Sequence, residues 1–484
     1  MHNLKIALPK GLLLVQTATL LEKAGWELSG YQERAASYRL DSHRFPNLLT
    51  KIFQEKDIPI QVAIGNYDLG ICGLDWVEEL LVKYPSSPLV RLRNLGYGEG
   101  TLYIVTSHSG AMSPEEIQSR KHNIRIASEY PNLAESFALN LRLRRFSIFP
   151  LWGGAEVYPP ESAELVLISE RTDEESFSQD LTPISKVLDF SAYLIANRDS
   201  WERKDLSEIL TSIDLTLTSL LVEMKPTDKE RLAPAESVSN LEKAKQLLVT
   251  GKDSIRLALP DGHQQLPTAQ LLSKAGIQID DYPSVTGNRR PTTSLDGITI
   301  KVLRPQDMPL QVSNGNFDLA ITGKDWLKEH LYQFPSSPVT ELLDLKLGKV
   351  KIVAVVSKDL PIADIYSLRQ LYTEQSTPIR IASEYINIAD KCAQDNHLGI
   401  YRVIPTWGAS EAFLPEDADL LIENTQTGRT IAQHNLKIID TLFESSACLI
   451  GNRNSITRPT KKERIESITE TLRLAVESAQ NESN

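Results

Sequence analysis

Cysteine is scarce in this chain, and its histidines do not cluster. Cys72, Cys392 and Cys448 are the three cysteines in 484 residues. Their odd number, wide separation and lack of CxxC spacing exclude a disulfide framework or a zinc-binding set and fit reduced, mostly buried thiols. The eight histidines form no HExxH pattern or paired cluster, so no protein-bound catalytic metal is expected. No segment approaches the ~18 uninterrupted apolar residues of a membrane span, and the opening MHNLKIALPKGLLL is too short and interrupted for a signal peptide. A soluble, cytoplasmic protein is the expectation. Positive charge is also in deficit: 52 Lys and Arg face 63 Asp and Glu, a net charge of −11, which opposes nonspecific nucleic-acid binding.

What the chain does have is length and repetition. Single cores stop growing near ~250 to 300 residues, so 484 residues with 41% hydrophobic content call for two or more domains. Asn66-Tyr-Asp-Leu-Gly-Ile-Cys-Gly-Leu-Asp-Trp76 matches Asn316-Phe-Asp-Leu-Ala-Ile-Thr-Gly-Lys-Asp-Trp326, and Tyr84-Pro-Ser-Ser-Pro88 matches Phe334-Pro-Ser-Ser-Pro338, both at an offset of 250. Arg125-Ile-Ala-Ser-Glu-Tyr130 recurs unchanged as Arg380 to Tyr385, Trp152-Gly153 as Trp407-Gly408, and Asn197-Arg198 as Asn452-Arg453, all at 255. So long a period is no solenoid, whose repeats run ~20 to 50 residues; each copy is a complete globular unit produced by duplication and fusion.

Within a copy, short apolar runs (Ile6 to Leu8, Leu102 to Val105, Leu165 to Ile168) alternate with helical patterns (Leu12 to Ala24, Leu133 to Leu141), which argues for α/β lobes. Helical spacing over Trp201 to Glu223 and Lys461 to Ala479 closes each copy. Prolines and charges over Met224 to Glu236 mark a linker, and a helix from Asn240 to Val249 leads into the second copy. The expected domains are residues 1–224, a linker and connecting helix at 225–253, and 254–484.

One stretch carries chemistry. The apolar run Asp419-Leu420-Leu421-Ile422 is followed by Glu423 and then Asn424-Thr-Gln-Thr-Gly-Arg-Thr430. As a plain polar turn it needs no ligand, because Thr, Gly and Asn are common in turns. At the mouth of a parallel strand, however, peptide N–H groups around a glycine, two hydroxyls and a guanidinium can surround a phosphate, and the carboxylate can accept from sugar hydroxyls.

Ala418 to Ile431 resembles the phosphoribosyl-diphosphate (PRPP) segment of the ATP phosphoribosyltransferase family. In family order, Leu303-Arg-Pro-Gln-Asp-Met-Pro309 resembles its "RPQDIP" stretch, Asp318-Leu-Ala-Ile-Thr-Gly-Lys-Asp325 its "DLGITGKD", and Trp407-Gly-Ala-Ser-Glu411 its glycine-to-glutamate loop. The first copy is similar through Ile6 to Gly11, Asp68 to Gly73 and Ile126 to Leu133. The resemblance implies an α/β fold of two tandem copies of a two-lobed unit similar to type II periplasmic binding proteins, with the ligand in the cleft. The implied reaction is attack of adenine N1 of ATP on the anomeric carbon of PRPP, releasing pyrophosphate, the first step of histidine biosynthesis.

By the same resemblance Glu423 and Arg304 are the catalytic candidates, and Glu423, Thr427, Gly428, Arg429 and Thr430 bind PRPP. Lys10, Lys324, Asp325 and Glu411 are further substrate-binding candidates, and Mg²⁺ arrives with the substrate. The copies differ where this matters. Ile168 stands where the second has Glu423, and Thr172-Asp-Glu-Glu175 replaces Thr427 to Thr430. Of the family's "LPKGR" turn, the first keeps Lys10 and the second, reading Asp261-Gly262-His263, keeps neither basic residue. The implied arrangement is an intra-chain pseudo-dimer in which the first copy supports the second. Only a helix and tail follow Asn452, so the copies resemble short-form units, which associate with a histidyl-tRNA-synthetase-like regulatory subunit. Two other readings stay open: a noncatalytic nucleotide- or metabolite-binding protein, and a phosphoribosyltransferase with another acceptor base.

Overall fold

The computed structural model describes residues 4–32, 38–110, 113–171, 180–223, 254–284, 287–293, 295–375 and 377–481. The expected linker and connecting helix at 225–253 and the first copy's Thr172 to Glu175 lie outside the described residues. Chain contacts divide the molecule into two units. Unit 1 comprises Met1–Pro150, Ala163–Leu241 and Trp407–Ala412; unit 2 comprises Leu151–Ser162, Glu242–Thr406 and Phe413–Asn484. Each unit therefore holds one copy plus a short segment numbered in the other.

Each unit has two lobes built on separate sheets. The first sheet of unit 2 runs Ile298–Leu303, Ile255–Pro260, Leu319–Gly323, Ala447–Asn452, Val339–Asp344, with the first three strands parallel and Ala447–Asn452 antiparallel to both of its neighbours. Its second sheet runs Tyr401–Pro405, Ile379–Ser383, Leu420–Thr425, Val350–Ser357, Leu436–Ser445. The chain passes between lobes after Asp344 and returns after Ser445. Unit 1 repeats this plan with Leu4–Lys10, Leu48–Gln54 and Leu69–Gly73 as its central parallel strands, and its crossovers follow Asn94 and Phe190. A late strand inserted antiparallel between the third and fourth is the two-lobed α/β arrangement expected from the sequence.

The central strands read as unbroken apolar runs because both of their faces are covered. Ile6, Ala7 and Leu8 in unit 1, and Ala258 and Leu259 in unit 2, are wholly buried. The three cysteines are free and buried. The expected helix over Trp201 to Glu223 is two helices, Arg198–Arg203 and Ser207–Glu223. The break has a local cause: the Asp205 carboxylate accepts from the Ser207 N–H at 3.0 Å, the hydrogen bond of a cap that starts a new helix. The closing helix of unit 2, Pro459–Asn481, turns Ile465, Ile468, Leu472, Ala475 and Val476 onto the first sheet at helical spacing. Each of the larger side chains in that stripe contributes roughly 1.5 to 3 kcal/mol by leaving water.

The same helix carries a buried ion pair that explains one repeated motif. Lys461, 3% exposed, donates to Asp318, 0% exposed, at 2.8 Å. Asp318 also accepts from the Ser455 hydroxyl at 2.6 Å and the Arg256 N–H at 2.9 Å. In unit 1, Asp68 likewise accepts from the Lys5 N–H, Ser200 and Lys204. Burial opposes ionisation of Asp318, but the Lys461 and Ser455 hydrogen bonds outweigh it and hold the carboxyl below its usual range. Its stabilisation is thus present above the unfolded-state value and is lost as pH falls through the depressed one. Lys461→Met should lower the stability of unit 2 by about 1.5 to 3 kcal/mol, the cost of one charged hydrogen bond, because Asp318 keeps the Arg256 guanidinium at 3.3 Å and the Ser455 hydroxyl. Denaturant unfolding measures this, and a near-native midpoint would contradict it.

Candidate active site

The strand that opens the candidate site is longer than the apolar run predicts. It spans Leu420–Thr425, because Glu423, Asn424 and Thr425 continue to pair with Val353, Ile352 and Lys351. Glu423 therefore stands within the sheet, and the loop begins only at Gln426. Gly428 follows at φ +71° and starts a short helix, Arg429–Gln433. A Cβ there would meet nothing nearer than Ile438 Cδ1 at 3.6 Å, so the requirement for glycine comes from its left-handed backbone. The Thr425 hydroxyl accepts from the Gly428 N–H at 2.9 Å, and the Thr427 hydroxyl accepts from the Arg429 N–H at 3.4 Å. Thr427, Arg429 and Thr430 are exposed. Among the described residues, neither the Arg429 guanidinium nor the Thr430 hydroxyl has a hydrogen-bond partner.

Arg304, Lys324 and Asp325 lie in the other lobe of unit 2, just beyond the C-terminal ends of Ile298–Leu303 and Leu319–Gly323, the strands on either side of Ile255–Pro260, where open parallel sheets present their ligands. Arg304 is 42% exposed and pairs with Asp261 at 3.3 Å. Asp261, at the position where the first copy has Lys10, also receives Arg289 at 3.0 Å, and Arg289 pairs in turn with Glu156 at 2.9 Å. Burial opposes the Asp261 charge, but Arg289, the Gly262 N–H and Arg304 outweigh it and lower its pKa. With Glu156 counted, two guanidinium groups meet two carboxylates, so the formal charges at this strand end balance.

Arg289 escaped the sequence reading. The repeat gave no signal for it, because its counterpart in unit 1 is Tyr38: the Tyr38 carbonyl accepts from the Ile52 N–H as the Arg289 carbonyl accepts from the Val302 N–H. Lys324 pairs with Glu341 at 2.9 Å and Asp344 at 2.8 Å on the strand that leads to the crossover. Asp325 is buried and links the lobes: its carboxylate accepts from the Tyr385 hydroxyl at 2.7 Å and the Ser445 hydroxyl at 2.7 Å. Beside it, Glu329 accepts from the Asn387 and Ile388 N–H groups at the start of a helix in the opposite lobe, each at 2.8 Å. Trp326 is buried and packs on Tyr385 and Trp152, as a core role for the repeated tryptophans predicts.

Segment Leu151–Ser162, numbered in the first copy, is built into unit 2. The Trp152 N–H donates to Asp307, Lys301 donates to Glu161 at 2.7 Å and to the Val157 carbonyl at 2.8 Å, and Arg290 also engages Glu161. Lys10 and Glu411 belong to unit 1. Lys10 rests over the Tyr38 ring there, and Glu411 lies half-buried in the short turn Ser410–Phe413. The structure thus groups Arg304, Lys324, Asp325, Glu423 and the Thr427–Thr430 loop in one unit and leaves Lys10 and Glu411 outside it.

The corresponding place in unit 1 is differently furnished. Arg171, at the end of the strand Leu165–Arg171, pairs with Glu55 of the opposite lobe at 3.3 Å and lies over the Phe190 ring. Lys56 reaches Glu129 across the same cleft at 2.7 Å. Unit 2 has Pro305, Gln306 and Gln426 at the positions of Glu55, Lys56 and Arg171, so neither ion pair can form there. Burial raises the Glu55 carboxyl from 4.5 to about 7, with Arg171 opposing and Asp75 reinforcing the shift. Between those values the folded chain binds the extra proton, so stability falls as pH rises through the window. Glu55→Gln should remove that part of the slope, which thermal unfolding against pH would measure; an unchanged slope would overturn the attribution.

Comparisons with known proteins identify the family. The family model for ATP phosphoribosyltransferase (HisG) matches residues 54–215 and again 304–474, one match in each copy. The ATP phosphoribosyltransferase of Prosthecochloris aestuarii is 32% identical over 230 residues, covering 46% of this chain and 72% of that protein. That of Chlorobaculum parvum is 32% identical over 227 residues, covering 46% and 71%. Among solved structures, the ATP phosphoribosyl transferase (HisG:HisZ) complex from Thermotoga maritima is 24% identical and covers 46% of this chain and 99% of that one, with a TM-score of 0.38. The two family matches, together covering more than half of the sequence, establish that this chain belongs to the ATP phosphoribosyltransferase family, in tandem.

Proposed function

We propose that this protein transfers the phosphoribosyl group of PRPP to N1 of ATP, and that the working site is the cleft of unit 2. The observation that carries the placement is the loop Thr427 to Thr430, which offers a left-handed glycine, exposed hydroxyls and an unpaired guanidinium directly after Glu423. The 5-phosphate is held by the Arg429 guanidinium, the Thr427 and Thr430 hydroxyls and the peptide at Gly428. Since the Thr427 oxygen already accepts from the Arg429 N–H, its own proton is available to a phosphate oxygen.

In the transfer, the adenine N1 lone pair forms the bond to the anomeric carbon while the C1–O bond breaks and its electrons leave with pyrophosphate. The ribose gains positive charge on the way, and Glu423, placed to accept from its hydroxyls, stabilises that charge. Arg304, with Arg289 beside it on Asp261, receives the departing pyrophosphate, whose charge Mg²⁺ carried in with the substrate reduces. We assign Lys324 to the crossover through Glu341 and Asp344, and Asp325 to the contact between lobes; neither is a substrate contact in this reading. The first copy contributes Leu151–Ser162 to unit 2, where Glu156 holds Arg289. Its own cleft, bridged by Arg171 and Glu55 and lacking a counterpart of Glu423, does not take PRPP.

A histidyl-tRNA-synthetase-like regulatory subunit and a cytoplasmic location belong to the same reading. No described helix is long and apolar enough to cross a membrane. The test is pyrophosphate release from PRPP and Mg²⁺ with and without ATP, in the native chain and in a folded Thr427→Ala/Arg429→Ala variant. ATP-dependent release that falls at least about a hundredfold in the variant is expected, the scale of losing preorganised contacts at a reacting group. Absence of release from the native chain, with a regulatory subunit supplied, would favour a binding protein, and release with another base would change the acceptor.

A further inference from the structure

The two copies satisfy the same buried carboxylate in different ways, and the difference lies beside Glu423. In unit 2 the Ser445 hydroxyl donates to Asp325 Oδ1 and the Tyr385 hydroxyl to Oδ2, each at 2.7 Å. The Asn424 side-chain N–H donates to the Tyr385 oxygen at 3.1 Å, and the Asn424 backbone N–H to Glu423 Oε1 at 2.9 Å. An uncharged chain of donors therefore runs from the crossover at Ser445, through the contact between lobes, to the residue that follows Glu423. Every donor in it is neutral.

Unit 1 keeps the central bond, from Tyr130 to Asp75 at 2.7 Å, but not the ends. Strand pairing sets Ser169 opposite Leu102, as Asn424 is set opposite Ile352, and Phe190 opposite Gly100, as Ser445 is set opposite Val350. Phe190 cannot donate, and Asp75 Oδ1 is buried with no hydrogen-bond partner among the described residues. Charge takes its place in part: burial raises the Asp75 carboxyl, and the Arg171 guanidinium, lying over Phe190, opposes that shift. That solution would be harmful in unit 2. A guanidinium beside Glu423 would neutralise the carboxylate that has to face positive charge developing on the ribose, and would offer the phosphates a misplaced partner.

We propose that Asn424 and Ser445 are positioning residues of the phosphoribosyl site, holding the Asp325–Tyr385 contact with uncharged donors so that Glu423 stays oriented. The inference rests on the phosphoribosyl-transfer reading. It predicts effects on turnover rather than on substrate capture, since neither side chain lies in the phosphate loop.

The experiment is steady-state pyrophosphate release by the full chain, alongside calorimetric PRPP·Mg²⁺ binding and thermal unfolding, for Asn424→Ser, Ser445→Ala and Ser445→Thr. Asn424→Ser and Ser445→Ala should each lower kcat by about ten- to a hundredfold, the scale of a small misplacement at a reacting centre, with KM and affinity for PRPP changed less than about threefold. Ser445→Thr, which keeps the hydroxyl, should retain native kcat. The proposal is overturned if the first two variants turn over like the native chain, or if kcat falls only in proportion to lost folding, or if Ser445→Thr fares no better than Ser445→Ala. A native chain that neither binds PRPP nor releases pyrophosphate overturns the reading beneath it as well, whereas native activity with indifferent variants overturns this inference alone.

Discussion

A carboxylate buried at the head of one helix and held by a tyrosine of the opposite lobe is the contact on which each unit depends. Asp325 and Tyr385 make it in unit 2, Asp75 and Tyr130 in unit 1. One turn further along each of these helices, Glu329 and Glu79 accept from the N–H groups that begin a helix across the cleft. These bonds fix the separation of two sheets that share only two crossovers, and they are buried, where losing a partner is expensive. The cleft is the space they leave. In unit 2 the Thr427–Thr430 loop lies on one lobe and the arginine pair Arg289 and Arg304 on the other.

The copies show how little must change for such a cleft to gain or lose a role. Arg171 for Gln426, Glu55 for Pro305 and Phe190 for Ser445 leave the fold of the unit intact, and their combined result is an ion pair across the opening of unit 1. Negative charge lost at Ile168, where unit 2 has Glu423, removes the group that would face a ribose. Glu55, Arg171 and Phe190 sit at or just beyond strand ends, where a side chain can change without disturbing the ladder behind it.

Much of this was legible beforehand. The repeat offsets located two units, and apolar runs located the central strands, because burial on both faces leaves no polar positions to confuse the pattern. The Thr427 to Thr430 loop could be read through its resemblance to the family's PRPP segment, since the same residues alone suit a plain polar turn. Lys324 and Asp325 were harder: a lysine and an aspartate at the start of a helix look alike whether they meet a substrate, an ion pair at a crossover or a tyrosine from another lobe. Arg289 and Asn424 were out of reach for a different reason, since their roles come from partners more than a hundred positions away in one case and from a two-lobed arrangement in the other. Strand ends were also misjudged, as Leu420–Thr425 shows, because polar residues continue a ladder whenever the neighbouring strand still offers its peptide groups.

The stretch Leu151–Ser162 has a consequence for the history of the gene. After a duplication, the half that loses its ligand loop is usually free to drift, and deletion of it costs nothing. Here that half still supplies the residues that anchor Lys301 and Arg290 and the carboxylate that steadies Arg289. Selection acting on the second copy therefore reaches into the first, and a short insert is enough to tie the two halves of the protein together.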